Sequence, residues 1–213
     1  MCECLAELCR QEQKKELTFL SAGRESFDQF RLDYYPDRTD PTTGFNIREV
    51  MDRTFQVCRR YAQTFSEKSG NLLFSGSTGL GKTFLSACIA RTVADGGHSV
   101  VYESAGHLFG KLERARFGGS EEERQEAEKY TACDLLILDD LGTEMGGQFV
   151  TAALYSLIND RILSGKPTII STNLTVEELS RRYNSQIASR LWGSYTRVAF
   201  LGDDIRVIRN RRM

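Results

Sequence analysis

The chain has 213 residues, 40% of them hydrophobic, enough to bury one sizeable core with a short appendage. Its 28 basic and 29 acidic side chains leave a net charge of −1, which excludes a global field that draws in polyanions and confines any nucleic-acid binding to local patches. No run of 18 apolar residues and no charged-then-apolar leader is present, so the expectation is a cytoplasmic protein, and six scattered cysteines in a reducing compartment are not a disulfide framework.

In chain order, Cys2 to about Lys15 is short, charged and marked by cysteines, and "ESFDQFRLDYYPD" brings an aromatic cluster before the turn-rich "DRTDPTTG". We divide the chain into an N-terminal extension and linker, residues 1–45, and a main domain, residues 46–213. Ile47, Val50, Met51, Phe55, Val57, Cys58, Tyr61 and Phe65 predict a long amphipathic helix starting near Asn46. From Asn71 onward apolar runs alternate with helical patterns. Strands are predicted at Leu72–Ser75, Ser99–Glu103, Leu135–Asp139, Thr168–Ser171 and Arg197–Leu201. Helices are predicted at Thr83–Ala94, Ala105–Arg114, Glu121–Tyr130, Gln148–Leu163, Val176–Arg182 and Ser185–Leu191. Such alternation implies an α/β fold, a parallel sheet covered on both faces. Cys88 and Cys133 fall on predicted core elements. His98 and His107 lack metal-ligand neighbours at useful spacing and read as surface residues. Arg209, Arg211 and Arg212 read as a frayed basic tail.

The most specific stretch is "LLFSGSTGLGKTFLSACIA", Leu72 to Ala90. A buried strand runs into Gly76-Ser77-Thr78-Gly79-Leu80-Gly81-Lys82-Thr83 and then into a helix opening with Phe84. The three glycines let backbone N–H groups turn inward at a helix N-terminus, where an anion is favoured. Lys82 adds a full charge for outer phosphates, and the Thr83 hydroxyl can take a place on Mg²⁺. The pattern GxxxxGK[ST] is complete and binds nucleoside triphosphate.

"DLLILDDLG" is a second buried strand, ending in Asp139 and Asp140 at the sheet edge where the phosphate loop also opens. Asp139 is placed to hold the Mg²⁺ hydration shell opposite Thr83, and Asp140 could polarise the attacking water as a base. The alternative is a pair that merely starts a loop. "PTIISTNLT" ends a third strand in Asn173, whose amide can contact a γ-phosphate and water, or can cap the helix at Val176 in competition with Thr175.

These three features together resemble AAA+ ATPases, with Asn173 as the sensor 1 residue. The end of the chain soon after its fifth strand, with "LLILDDLG", "STNLT" and "ASRL", resembles the DnaC/DnaI-type helicase loaders and the transposition ATPase IstB. The resemblance covers roughly Glu25 to the end. It implies a three-layer αβα P-loop NTPase with a five-stranded parallel sheet and no C-terminal helical lid domain. It also implies Arg190 as an arginine finger reaching a neighbouring subunit's γ-phosphate and Arg206 as a residual sensor 2 arginine. Many AAA+ enzymes carry Glu where this chain has Asp140, which raises slow hydrolysis or reliance on Glu144.

Relatives often begin with a cysteine zinc module. "MCECL" resembles its second half, but Cys2, Cys4 and Cys9 do not close a tetrahedral site, so residues 1–45 are read as a truncated remnant without zinc. Single-stranded DNA is the other ligand implied. "HLFGKLERARFGGSEEER" lies where the initiator and loader branch carries an extra helix, and Phe109, Lys111, Arg114 and Arg116, with Phe117, supply stacking faces and cations. The alternative is a solvated helix with an aromatic anchor; "SRRY", Ser180–Tyr183, is a weaker candidate.

The leading expectation is an ATP- and Mg²⁺-dependent AAA+ ATPase that self-assembles and helps place a DnaB-type replicative helicase on single-stranded DNA. The alternatives are an IstB-like ATPase that assists a transposase in target-DNA selection, or an ATP-gated scaffold without hydrolysis. A metabolite kinase would need a substrate lid that the chain does not display.

Overall fold

A computed structural model describes residues 25–212; the expectations for Cys2, Cys4 and Cys9 lie outside the described residues. The first long element, α1 (Ile47–Gln63), is capped by Asn46, whose side chain accepts from the Glu49 backbone N–H at 3.2 Å. Its buried stripe is Ile47, Met51, Thr54, Cys58 and Ala62, spaced by three and four as a helix demands. Val57, expected on that face, instead points to solvent. The buried Thr54 hydroxyl is satisfied by the Ala199 carbonyl at 2.8 Å.

Five strands follow: β1 (Asn71–Ser75), β2 (Val100–Ser104), β3 (Leu135–Leu141), β4 (Thr168–Thr172) and β5 (Tyr195–Ala199). The helices between and after them are α2 (Lys82–Asp95), α3 (Ala105–Arg116), α4 (Glu121–Ala132), α5 (Gln148–Leu163), α6 (Val176–Arg182), α7 (Ser185–Ser194) and α8 (Ile205–Arg212). The strands pair in parallel in the order β2-β3-β4-β1-β5, the predicted P-loop NTPase sheet. Side chains alternate across it. Leu72, Phe74, Leu135, Ile137 and Ile169 pack with α1 and α2 on one face, whereas Leu73, Leu136, Leu138 and Ile170 pack with α3 to α7 on the other. Both faces are covered, which is why these strands read as unbroken apolar runs.

Most element bounds shift by one to three residues from the sequence reading, and two differences have a clear cause. β5 begins at Tyr195, two residues early, because α7 feeds directly into it and pairing with β1 matches Asn71 to Tyr195 and Ser75 to Ala199. The arginine-rich end is a helix rather than a frayed tail. Asp204 accepts from the Arg206 N–H at 2.8 Å, and the Ile205 N–H donates to the Gly79 carbonyl at 3.0 Å, so α8 starts docked on the phosphate loop.

The aromatic segment before α1 also packs on the body. Phe30 stacks on Phe55 with ring centroids 4.7 Å apart and on Tyr35 at 5.6 Å, and Tyr35 is fully buried. Arg38 pairs with Asp203 at 2.9 Å, joining this segment to the turn before α8. At the opposite edge of the sheet Arg161 is wholly buried. Its guanidinium donates to Thr168 Oγ1 at 2.8 Å and to the carbonyls of Tyr130, Cys133 and Pro167, tying the end of α4 to the start of β4. Cys58, Cys88 and Cys133 are buried free thiols. Among the described residues no helix is long and apolar enough to cross a membrane.

Candidate nucleotide site

The C-terminal ends of the strands open into a cleft of about 670 Å³ lined by the phosphate loop from Thr78 to Phe84, by Asp139 and Asp140, and by Arg206. A pocket of this size suits a nucleotide. Gly79 and Gly81 hold φ of +77° and +90°, conformations only glycine adopts without strain. Gly81 precedes α2 with no side-chain cap, so the helix presents its first N–H groups toward the loop for an anion to satisfy. Lys82 is nearly buried, and its ammonium donates to the Gly76 carbonyl at 2.7 Å and the Ser77 carbonyl at 2.8 Å. Burial lowers its pKa, against the pull of Asp140 and Asp139. An ammonium aimed back into its own glycine turn fits a triphosphate tail lying in that turn.

Asp139, also nearly buried, follows the last regular β3–β4 pair, at Leu138. It accepts hydrogen bonds from the Tyr102 hydroxyl at 2.7 Å and from the Ser171 hydroxyl. The β3–β4 register then shifts between Leu138 and Leu141, and Asp140 takes φ of +55°. With that irregularity Asp140 lines the same cleft as Asp139, although successive residues of a regular strand face opposite sides. The Asp140 N–H donates to Ser171 Oγ at 2.8 Å, which holds the left-handed residue in place. Burial first, then the Asp139 charge, raises the Asp140 carboxyl pKa, while Lys82 and Arg206 oppose the shift. The Thr83 hydroxyl and Asp139 carboxylate are hard oxygen donors on one cleft, a set that suits Mg²⁺, which takes one or two protein oxygens alongside phosphate oxygens and water.

Other candidates fall in different places. Asn173 follows β4 directly and is exposed at the same sheet edge, but it is not among the residues that line the cleft. The capping alternative is removed, because Thr175 caps α6 in a reciprocal box with Glu178. Arg206 lines the cleft from α8, with Arg209 beside it. Arg190 does not line the cleft: it lies over the Tyr155 ring at 4.3 Å and donates to the Tyr155 hydroxyl at 2.7 Å. Glu144 is buried instead of facing the cleft, accepting from the Gly142 N–H at 2.8 Å, from the Tyr183 hydroxyl and from Arg182, so it is a loop anchor and no substitute base.

The DNA candidates need correction. Phe109 is buried in the core beneath α3 and offers no stacking face, because its side of α3 packs against the sheet and the neighbouring helices. Lys111 is engaged by Glu103 at 2.7 Å and Glu126 at 3.3 Å, and these partners outweigh burial to raise its pKa. Arg114 pairs with Glu123 at 3.3 Å, while Arg116 lies by the exposed Phe117 ring. In "SRRY", Tyr183 is buried and Arg182 is bound to Glu144.

Four aromatic cleft residues were not singled out from the sequence. The Tyr35 hydroxyl donates to the Leu80 carbonyl at 2.9 Å and braces the phosphate loop, and Phe30 and Tyr34 extend that wall. Tyr102 reaches Asp139 from the neighbouring strand. The aromatic run "FRLDYY" was the available signal for the first group; Tyr102 carried none.

Comparison with known proteins agrees with this architecture. The profile of the IstB-like ATP binding protein family matches residues 34–191. The replicative helicase loader DnaC of Escherichia coli is 24% identical over 133 residues, 62% of this chain and 54% of that protein, so the chain spans about half the length of that relative. A Sinorhizobium fredii protein named for an insertion sequence and for ATP binding is 29% identical over 196 residues, 90% of this chain and 76% of that one. Among solved structures, the DnaC helicase loader has a TM-score of 0.66 at 20% identity, over 82% of this chain and 98% of that one. DnaI has a TM-score of 0.65 at 20% identity, over 86% and 92%. At these identities the structural likeness concerns the fold. The family match runs from the aromatic wall of the cleft to the helix that carries Arg190, and on that span the chain belongs to the IstB-like ATP binding protein family.

Proposed function

We propose that the protein is an ATPase that helps load a DnaB-type replicative helicase onto single-stranded DNA. The observation that carries the nucleotide chemistry is the meeting of Lys82 and Thr83, from the start of α2, with Asp139 and Asp140, from β3, in one cleft. Backbone N–H groups from Gly79 to Thr83 and the Lys82 ammonium hold the phosphates. Thr83 and Asp139 would hold Mg²⁺, which neutralises charge on the phosphate oxygens when bound. Asp140, its basicity raised by burial and by Asp139, orients and polarises the attacking water, and Asn173 steadies that water from the next strand. Arg206 approaches the phosphates from α8. Arg190 completes the cleft of a neighbouring subunit, so that ATP orders subunits side by side and hydrolysis loosens them.

The loader reading draws on the likeness to DnaC and DnaI. A second reading, an ATPase that hands target DNA to a transposase, is favoured by the longer alignment to the insertion-sequence relative. ATP turnover of the wild type and Lys82→Ala, with and without single-stranded DNA and the host helicase, tests the first. We expect stimulation by the DNA that vanishes in the variant; a flat response to both partners refutes loading. Recovery of a transposase in place of a helicase on co-purification reverses the ranking. A scaffold that never hydrolyses predicts that Asp140→Asn leaves partner release unchanged.

A further inference from the structure

We infer that Tyr102 and Ser171 are positioning residues for the metal-holding carboxylate of Asp139, an inference that rests on the nucleotide reading of the cleft. The three residues sit on adjacent strands. Tyr102 pairs with Ile137 across β2–β3, and Ile137 pairs with Ile169 across β3–β4. Because side chains alternate, Tyr102, Asp139 (two beyond Ile137) and Ser171 (two beyond Ile169) share one sheet face at its C-terminal edge. Each carboxylate oxygen then receives one hydroxyl: Tyr102 donates to Oδ2 at 2.7 Å and Ser171 donates to Oδ1.

Ser171 does more than donate. Its oxygen accepts the Asp140 N–H at 2.8 Å, so one hydroxyl couples the orientation of the first acid to the bulge that aims the second. Tyr102 itself lines the cleft from β2. A carboxylate has about four lone-pair sites. Two are spent on these hydroxyls, and those left are confined to directions set by the clamp. A carboxylate that is 5% exposed and lacked such donors would be free to rotate and would be poorly solvated. Outer donors of this kind typically govern metal affinity by ten- to a hundredfold.

The test is binding of Mn²⁺, as a paramagnetic stand-in for Mg²⁺, to the full chain saturated with a non-hydrolysable ATP analogue, followed by electron paramagnetic resonance of the free ion. Tyr102→Phe, which keeps the ring and removes the hydroxyl, should weaken Mn²⁺ binding by roughly tenfold or more, with analogue affinity in the presence of EDTA within twofold of wild type. Ser171→Ala should shift it in the same direction and provides the second reading should the Phe variant fold poorly. A merely structural tyrosine would lower Tm and leave the Mn²⁺ titration in place. Wild-type Mn²⁺ binding in both variants, with Asp139→Asn strongly weakened, overturns the clamp and spares the nucleotide reading. A wild type that binds neither analogue nor Mn²⁺ overturns both.

Discussion

At Gly79 the backbone holds φ of +77°, and a Cβ built there would strike the Asp204 carboxylate that caps α8. Gly79→Ala therefore combines a left-handed strain of ~1–2 kcal/mol with displacement of α8 from the loop. We expect more than tenfold weaker binding of a fluorescent ATP analogue. Gly97→Ala, at φ of +90° with nothing within 4 Å, is the matched control, and should show the strain in thermal unfolding without the binding defect. Equal binding losses in both variants would refute the docking argument. Arg161 provides a second case at this scale. Its partners are a threonine hydroxyl, the Cys133 sulfur and backbone carbonyls, so the charge is held by dipoles at the end of α4 and the start of β4. Arg161→Met leaves those carbonyls buried without donors, and urea unfolding should show a loss of about 3 kcal/mol or more. Arg161→Lys should recover only part of this, since an ammonium cannot span the same fork.

The elements around the cleft owe their placement to their ends. α6 starts in a reciprocal box in which Thr175 accepts from the Glu178 N–H and Glu178 accepts from the Thr175 N–H at 2.7 Å. That backbone bond lowers the Glu178 pKa from its ordinary 4.5. A depressed carboxyl stabilises the fold above its unfolded value and loses that contribution as pH falls through the folded one. The Tm difference between wild type and Glu178→Gln should thus be largest above the ordinary 4.5 and shrink as pH falls below it; a difference unchanged in acid would show that the effect comes from something other than the charge. The same helix matters for Asn173: with Thr175 serving as the cap, the amide one position beyond β4 is not consumed by helix capping. α8 is short and arginine-rich, and holds its start through Asp204 and the Gly79 carbonyl, so the last helix is tied to the phosphate loop.

For the whole molecule, the decisive fact is that Arg190 stands apart from the cleft of its own chain, held on α5 by Tyr155 and by Asn159 at 3.2 Å. A finger that acts on a neighbour should leave its own nucleotide pocket untouched. We expect Arg190→Ala to bind the ATP analogue within twofold of wild type and to lose ATP turnover under conditions of self-assembly. Mixing it with Lys82→Ala should restore part of the turnover, because one chain supplies the pocket and the other the arginine. Absence of complementation at any mixing ratio, with both variants folded, would count against action between subunits.

Local sequence determined the elements and the phosphate loop. Gln148–Leu163 and Val176–Arg182 form with the bounds read from the sequence, and the loop from Gly76 to Thr83 is legible because a glycine turn between a strand and a helix is a contiguous feature. What only the tertiary structure decided are relations between distant positions. Tyr102 meets Asp139 across 37 residues, Tyr35 meets the Leu80 carbonyl across 45, and Lys111 is claimed by carboxylates on another strand and helix. Periodicity says that Phe109 is apolar, but its burial follows from what packs beneath α3. Local preferences act over a few bonds, whereas strand register and packing choose which side chains share a site, and that choice is written in no single segment.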